Sequence, residues 1–77
     1  MIFEKVKQMI SKEFSVDSMK LSRETRLEED LNIDSLDAVE LVMGLEDAFG
    51  VTISDEVAQS FKTLGEITDF VTEKIGA

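Results

Sequence analysis

Apolar residues recur every three or four positions in three separate stretches of this chain, a spacing that calls for helices burying one face. The first stretch is residues 2–14, where Phe3, Val6, Ile10 and Phe14 form a stripe with Ile2 and Met9 beside it. The second is residues 35–49, ended by Gly50, a residue that readily takes the left-handed stop of a helix. The third carries Leu64, Ile67, Phe70, Val71 and Ile75, and opens on Thr63 and Glu66, spaced as a capping box. Between the second and third lie a short connector, Val51 to Ile53, and a short helix through Phe61. Ser54 is its expected cap, and Asp55 and Glu56 fall in its first turn, where the helix dipole favours them. No segment reads as a strand of useful length. The expected fold is all-α: a small four-helix bundle, three longer helices and one short, in one domain over residues 1–77.

Residues 15–34 break the pattern. They form a long loop between the first and second helices, and a structureless loop of that length is unusual in a compact domain. Val16, Met19, Leu21, Leu27, Leu31 and Ile33 are expected to pin it to the core. The T-x-x-E spacing of Thr25 and Glu28 predicts a short helical turn inside it.

Composition narrows the function. With 77 residues there is room for one small core. There is no cysteine, so no disulfide framework or thiolate metal site, and no histidine, the usual general base near neutral pH. No basic-then-apolar leader precedes the first helix, and no apolar run approaches the ~18 residues of a membrane span. A soluble, cytoplasmic monomer without a membrane span is the expectation.

Charge is distributed unevenly. The net charge is −9, and residues 27–61 hold ten acids and no Lys or Arg. Nucleic acid is excluded as a natural partner, because phosphate binding needs a basic surface. Basic protein surfaces are the expected partners, steered by the field of the acidic middle. Solubility alone is the plainer explanation of an acidic composition. The absence of any base from the middle points to a docking face.

On a wheel of 100° per residue, Leu41, Ala48, Leu45, Ala38, Phe49 and Val42 share one arc of the 35–49 helix, which suits a core. Leu36, Val39 and Met43 form a second stripe outside it, flanked by Asp37, Glu40, Glu46 and Asp47. Exposed apolar side chains bordered by charge make a protein-binding patch. The alternative is a core that wraps further around this helix, under the long loop. Ser35 heads the stripe, at or near the helix N-cap, and a cap is the ordinary role of a serine there. It has no activating base and no Gly-x-Ser-x-Gly elbow. Any modification of Ser35 is therefore expected to need a separate enzyme.

The stretch from Asp30 to Met43, with Asp34-Ser35-Leu36 followed by an acidic helix containing Val39-Glu40-Leu41, resembles the acyl carrier proteins of fatty-acid synthesis, in their discrete, type II form. Glu46-Asp47-Ala48-Phe49-Gly50 and Ile53-Ser54-Asp55-Glu56 are similar as well, so the resemblance covers nearly the whole chain. It implies a non-catalytic carrier with 4′-phosphopantetheine, derived from coenzyme A, attached to Ser35 between Asp34 and Leu36 by a phosphopantetheinyl transferase. The terminal thiol of that arm would carry the growing acyl chain between enzymes. It implies docking of fatty-acid synthase enzymes, the transferase and acyltransferases, through their basic surfaces, on Leu36, Asp37, Val39, Glu40, Met43, Glu46, Asp47 and Glu56. It also implies an acyl pocket lined by Val42, Leu45, Phe49, Ile53, Ala58, Phe61 and Ile67, each of which would serve equally as plain core. The chain departs from the family pattern at Asn32, where glycine is usual, and at Ser54, where proline is common. Asn tolerates a left-handed backbone, and a serine caps the short helix, so both departures are compatible with the fold.

Asp30-x-Asn32-x-Asp34 imitates the start of a calcium-binding EF-hand loop, but position six is Ser35 rather than glycine and position twelve is Leu41 rather than glutamate, so no specific metal site is expected. A carrier of D-alanyl, peptidyl or polyketide cargo would share the modified serine, although the acidic helix favours fatty acids. An unmodified acidic interaction module would use the stripe alone.

Overall fold

In the computed structural model, which describes residues 2–76, the chain folds into five α-helices: α1 Ile2–Phe14, α2 Leu27–Leu31, α3 Ser35–Phe49, α4 Asp55–Ser60 and α5 Leu64–Ile75. α1, α3 and α5 are the three long helices expected from the periodicity, and α4 is the short one. Val6 and Ile10 of α1, Leu41 and Leu45 of α3, and Leu64, Ile67 and Val71 of α5 are buried together. Burial of each such side chain contributes roughly 1.5–3 kcal/mol. Leu21, Leu27, Ile33 and Ile53 enter the same core from the connecting segments.

The long loop has more structure than its sequence suggests. It holds a three-residue 3-10 turn, Ser18–Lys20, and the five-residue α2. Asp17 caps the turn by accepting from Met19 N–H at 2.9 Å. The short helix foreseen at Thr25 exists, but the Thr25–Glu28 box does not form. Thr25 is buried and its hydroxyl accepts from Ser22 N–H at 2.8 Å. The N-cap of α2 is Arg26, whose N–H is taken up by the Asp30 carboxylate at 2.8 Å. An aspartate one turn ahead satisfies the free donor as well as a box would.

Three backbone bonds tie this loop to the turn before α5. Leu27 N–H donates to Lys62 O at 2.9 Å, Leu64 N–H to Thr25 O at 3.1 Å, and Gly65 N–H to Arg23 O at 2.9 Å. One Arg23 guanidinium nitrogen adds contacts of 2.8 and 2.9 Å to the two carboxylate oxygens of Asp69. The loop thereby gains hydrogen-bond partners for groups that lie too near the core for water to serve.

The two departures from the family pattern are accommodated as expected. Asn32 ends α2 in the left-handed region, at φ 55°, and its N–H returns to Glu28 O. Ser54 caps α4, its hydroxyl accepting from Val57 N–H at 3.2 Å. The Thr63–Glu66 capping box of α5 is present in both directions. Ile75, placed on the apolar stripe of the last helix, is 42% exposed, because the core ends at Val71.

Gly65 sits where the loop crosses α5. A Cβ there would stand 3.1 Å from Arg23 O, itself held by a backbone bond. Gly65→Ala is expected to lower stability by about 1–3 kcal/mol, measured by urea denaturation. An unchanged midpoint would show that the crossing has slack.

Candidate functional site

α3 places the candidate residues, and its first turn decides how. The N-cap is Asp34, not Ser35. The Asp34 carboxylate accepts from Asp37 N–H at 2.9 Å, and the Asp37 carboxylate accepts from Asp34 N–H at 3.4 Å. Aspartate caps as well as serine, and an acid three residues on makes the pair reciprocal. Ser35 is thereby moved to the first helical position. Its side chain is exposed, and no hydrogen bond among the described residues engages its hydroxyl.

Leu36, Val39 and Met43 are 76%, 56% and 59% exposed, so the core does not wrap around to cover them. Leu41 and Leu45 are buried, and Ala38, Val42 and Phe49 are half-buried. Ala48 was expected on the core arc but is exposed. A chain this short supplies no element to cover that edge of α3.

The acids assigned to docking fall into two groups. Glu40, Asp47 and Glu56 are exposed and form no ion pair among the described residues. Asp37 and Glu46 are half-buried and committed locally, Asp37 to the cap and Glu46 to Ile53 N–H at 2.8 Å. Glu46 thus anchors the connector that leads to α4. Sequence periodicity marks it as acidic surface and cannot reveal this second task.

An open cleft of about 1190 Å³ lies between α3, α4, the start of α5 and the α2–α3 turn. Of the side chains expected to form a pocket, Val42, Leu45, Ile53, Ala58, Phe61 and Ile67 line it. Phe49 does not. It turns toward α1, where the Lys5 ammonium stands 5.6 Å from its ring centroid. The Phe61 ring leans edge-on against Phe70, at 5.5 Å between centroids. Leu27 and Ile33 also line the cleft, and no feature of the sequence marked them beyond being apolar residues in a loop. Val39 and Met43 face the cleft as well as solvent, and Asp34 and Ser35 stand at its mouth. The arrangement offers a free hydroxyl at a helix start and an apolar recess beside it, with the unpaired acids Glu40, Asp47 and Glu56 on the same helices outside the cleft lining. Among the described residues no cluster of acids is arranged to hold a metal ion.

A model of the acyl-carrier family matches residues 2–76. The chain belongs to the acyl-carrier family. It is 49% identical over 76 residues to the acyl carrier protein of Thermosynechococcus vestitus, covering 99% of this chain and 94% of that one. It is 47% identical over 73 residues to the acyl carrier protein of Aster yellows witches'-broom phytoplasma, covering 95% of this chain and 96% of that one. The structure superposes on the solved acyl carrier protein from Enterococcus faecalis with a TM-score of 0.83 at 34% identity, covering 95% of this chain and 92% of that one.

The cap assignment separates two neighbouring substitutions. Asp34→Ala is expected to cost about 1 kcal/mol of stability. Ser35→Ala is expected to shift it by less than about 0.5 kcal/mol. Urea denaturation followed by circular dichroism distinguishes them, and an equal loss at both would return the cap to Ser35.

Proposed function

We propose that this chain is one acyl-carrier domain that carries the growing acyl chain of fatty-acid biosynthesis on a 4′-phosphopantetheine arm at Ser35. The observation that carries the proposal is the uncommitted Ser35 hydroxyl at the mouth of an apolar cleft, in a chain of the acyl-carrier family. The residues present fit such an arm. Ser35 is exposed, and it opens a 15-residue helix whose N-terminal dipole favours a phosphate by about 0.3–1 kcal/mol, while the carboxylates of Asp34 and Asp37 oppose it by a similar amount. When bound, the arm supplies a thiol that holds acyl groups as thioesters, a group this cysteine-free chain lacks.

The chain's own residues do the rest. Asp34 holds the first turn of α3, so the Ser35 oxygen keeps a fixed place beside the cleft without being consumed as a cap. The apolar wall of Val42, Leu45, Ile53, Ala58, Phe61 and Ile67 supports shelter of an acyl chain from water. Glu40, Asp47 and Glu56 attract basic partner surfaces, while Leu36, Val39 and Met43 supply the apolar contact. Among the described residues no group is arranged to activate Ser35, so attachment falls to a phosphopantetheinyl transferase. No described helix is long and apolar enough to cross a membrane.

Incubation with coenzyme A and a phosphopantetheinyl transferase is expected to add the mass of one arm, read by intact mass spectrometry. Ser35→Ala should gain nothing, and a gain that survives in that variant refutes the site. Replacing Glu40 and Asp47 together by Lys is expected to raise the KM of the transferase severalfold at low salt and leave the melting temperature unchanged. That difference should shrink with added salt, as the screening length falls from about 10 Å at 0.1 M to about 3 Å at 1 M. Equal KM values at low salt would remove these acids from the docking face.

A further inference from the structure

The docking stripe contains an oxidisable atom. Of the four methionines in the sequence, Met9, Met19 and Met43 are described, and they sit in three different environments. Met9 is half-buried against α3, its terminal methyl 3.4 Å from where a Cβ on Gly44 would stand. Met19 is 88% exposed on the 3-10 turn and takes no part in the cleft. Of these three, only Met43 is both open to solvent, at 59%, and part of the stripe and the cleft mouth.

We propose that Met43 is an oxidation site through which a peroxide turns off the partner-binding face of α3. The proposal rests on the carrier reading above. In the step, the thioether sulfur attacks one oxygen of hydrogen peroxide and the O–O bond breaks. The sulfur is oxidised by two electrons to a sulfoxide, and the other oxygen leaves as water. The product is polar and chiral, and methionine sulfoxide reductases reverse it.

The surroundings make the change consequential. The stripe has three members, so one sulfoxide removes a large share of its apolar surface. On the helix surface the neighbours of Met43 at three and four residues are Val39, Glu40, Glu46 and Asp47. Val39 has no polar group, and the three ionised carboxylates accept hydrogen bonds without donating them. None of these same-helix neighbours can donate to the new sulfoxide oxygen, so it enters an apolar contact without a partner on α3, and burying a polar atom there opposes docking. Met19 provides an internal control, because it is more exposed and lies outside the stripe.

The test treats the full-length protein with limiting hydrogen peroxide and locates the sulfoxides by peptide mass spectrometry. The kcat/KM for attachment of the arm by the transferase is then read for wild type, Met19→Leu and Met43→Leu, each against its own unoxidised sample. Oxidation is expected to lower kcat/KM by about fivefold or more in wild type and Met19→Leu, the loss of one good apolar contact. Met43→Leu should hold its own unoxidised value. Sulfoxide reductase should restore wild type, and the melting temperature of the oxidised protein should be unchanged. The inference is overturned if oxidised wild type keeps its rate, if Met43→Leu loses as much, if the melting temperature falls along with the rate, or if Met43 stays reduced while Met19 is oxidised. If unoxidised protein is not modified at Ser35 at all, the carrier reading fails and takes this inference with it. A normal unoxidised rate with no effect of oxidation overturns this inference alone.

Discussion

Three backbone hydrogen bonds between residues 23–27 and 62–65 hold the molecule in its working shape. They join the long loop to the turn between α4 and α5, two segments with little periodicity of their own. The other backbone bonds of the loop are local in sequence, and α2 is only five residues long, too short to persist unaided. The three long-range bonds carry Leu27 to the cleft wall, followed by Ile33, and they set the start of α5 against Arg23. The cleft is therefore a product of loop pairing as much as of helix packing.

α3 answers two demands at once. Its inner face must bury Leu41 and Leu45, and its outer face leaves Leu36, Val39 and Met43 in water. Exposed apolar groups cost solubility, and an acid-rich neighbourhood offsets that cost. The division of labour in the first turn matters as much. Because Asp34 and Asp37 satisfy the helix start between them, the hydroxyl of Ser35 is left uncommitted. A serine that served as the cap would have to give up that bond before it could be modified.

The ion pairs follow the same division. Arg26 contacts Glu29 at 2.7 Å and Asp30 at 3.7 Å, Arg23 contacts Asp69, and Lys7 contacts Glu4. These pairs place the paired cations beside α1, α2 and α5. They leave the acids of α3 and α4 without cations among the described residues. Exposed pairs add little to stability. Their effect here is on the shape of the field, which stays negative over the face that holds Ser35 and is available to steer a basic partner.

The sequence by itself determined the three long helices, the short one, the Gly50 stop, the Thr63–Glu66 box and the presence of a second apolar stripe on α3. These depend on local propensity and on a 3.6-residue period, both readable along one segment. It also placed Ser35 at the head of α3 and six of the seven pocket side chains on the cleft wall. Only the folded geometry decided which atom caps α3, since Asp34 and Ser35 are both good caps and the choice turns on the local reciprocal bond between Asp34 and Asp37. It likewise turned Phe49 toward Lys5 and bound Glu46 to the Ile53 amide, seven residues away. The pairing of Thr25 with Ser22 rather than Glu28, and the ladder from the loop to α5, were decided in the same way. Each of these is a competition between partners brought together by folding, and periodicity carries no information about which one wins.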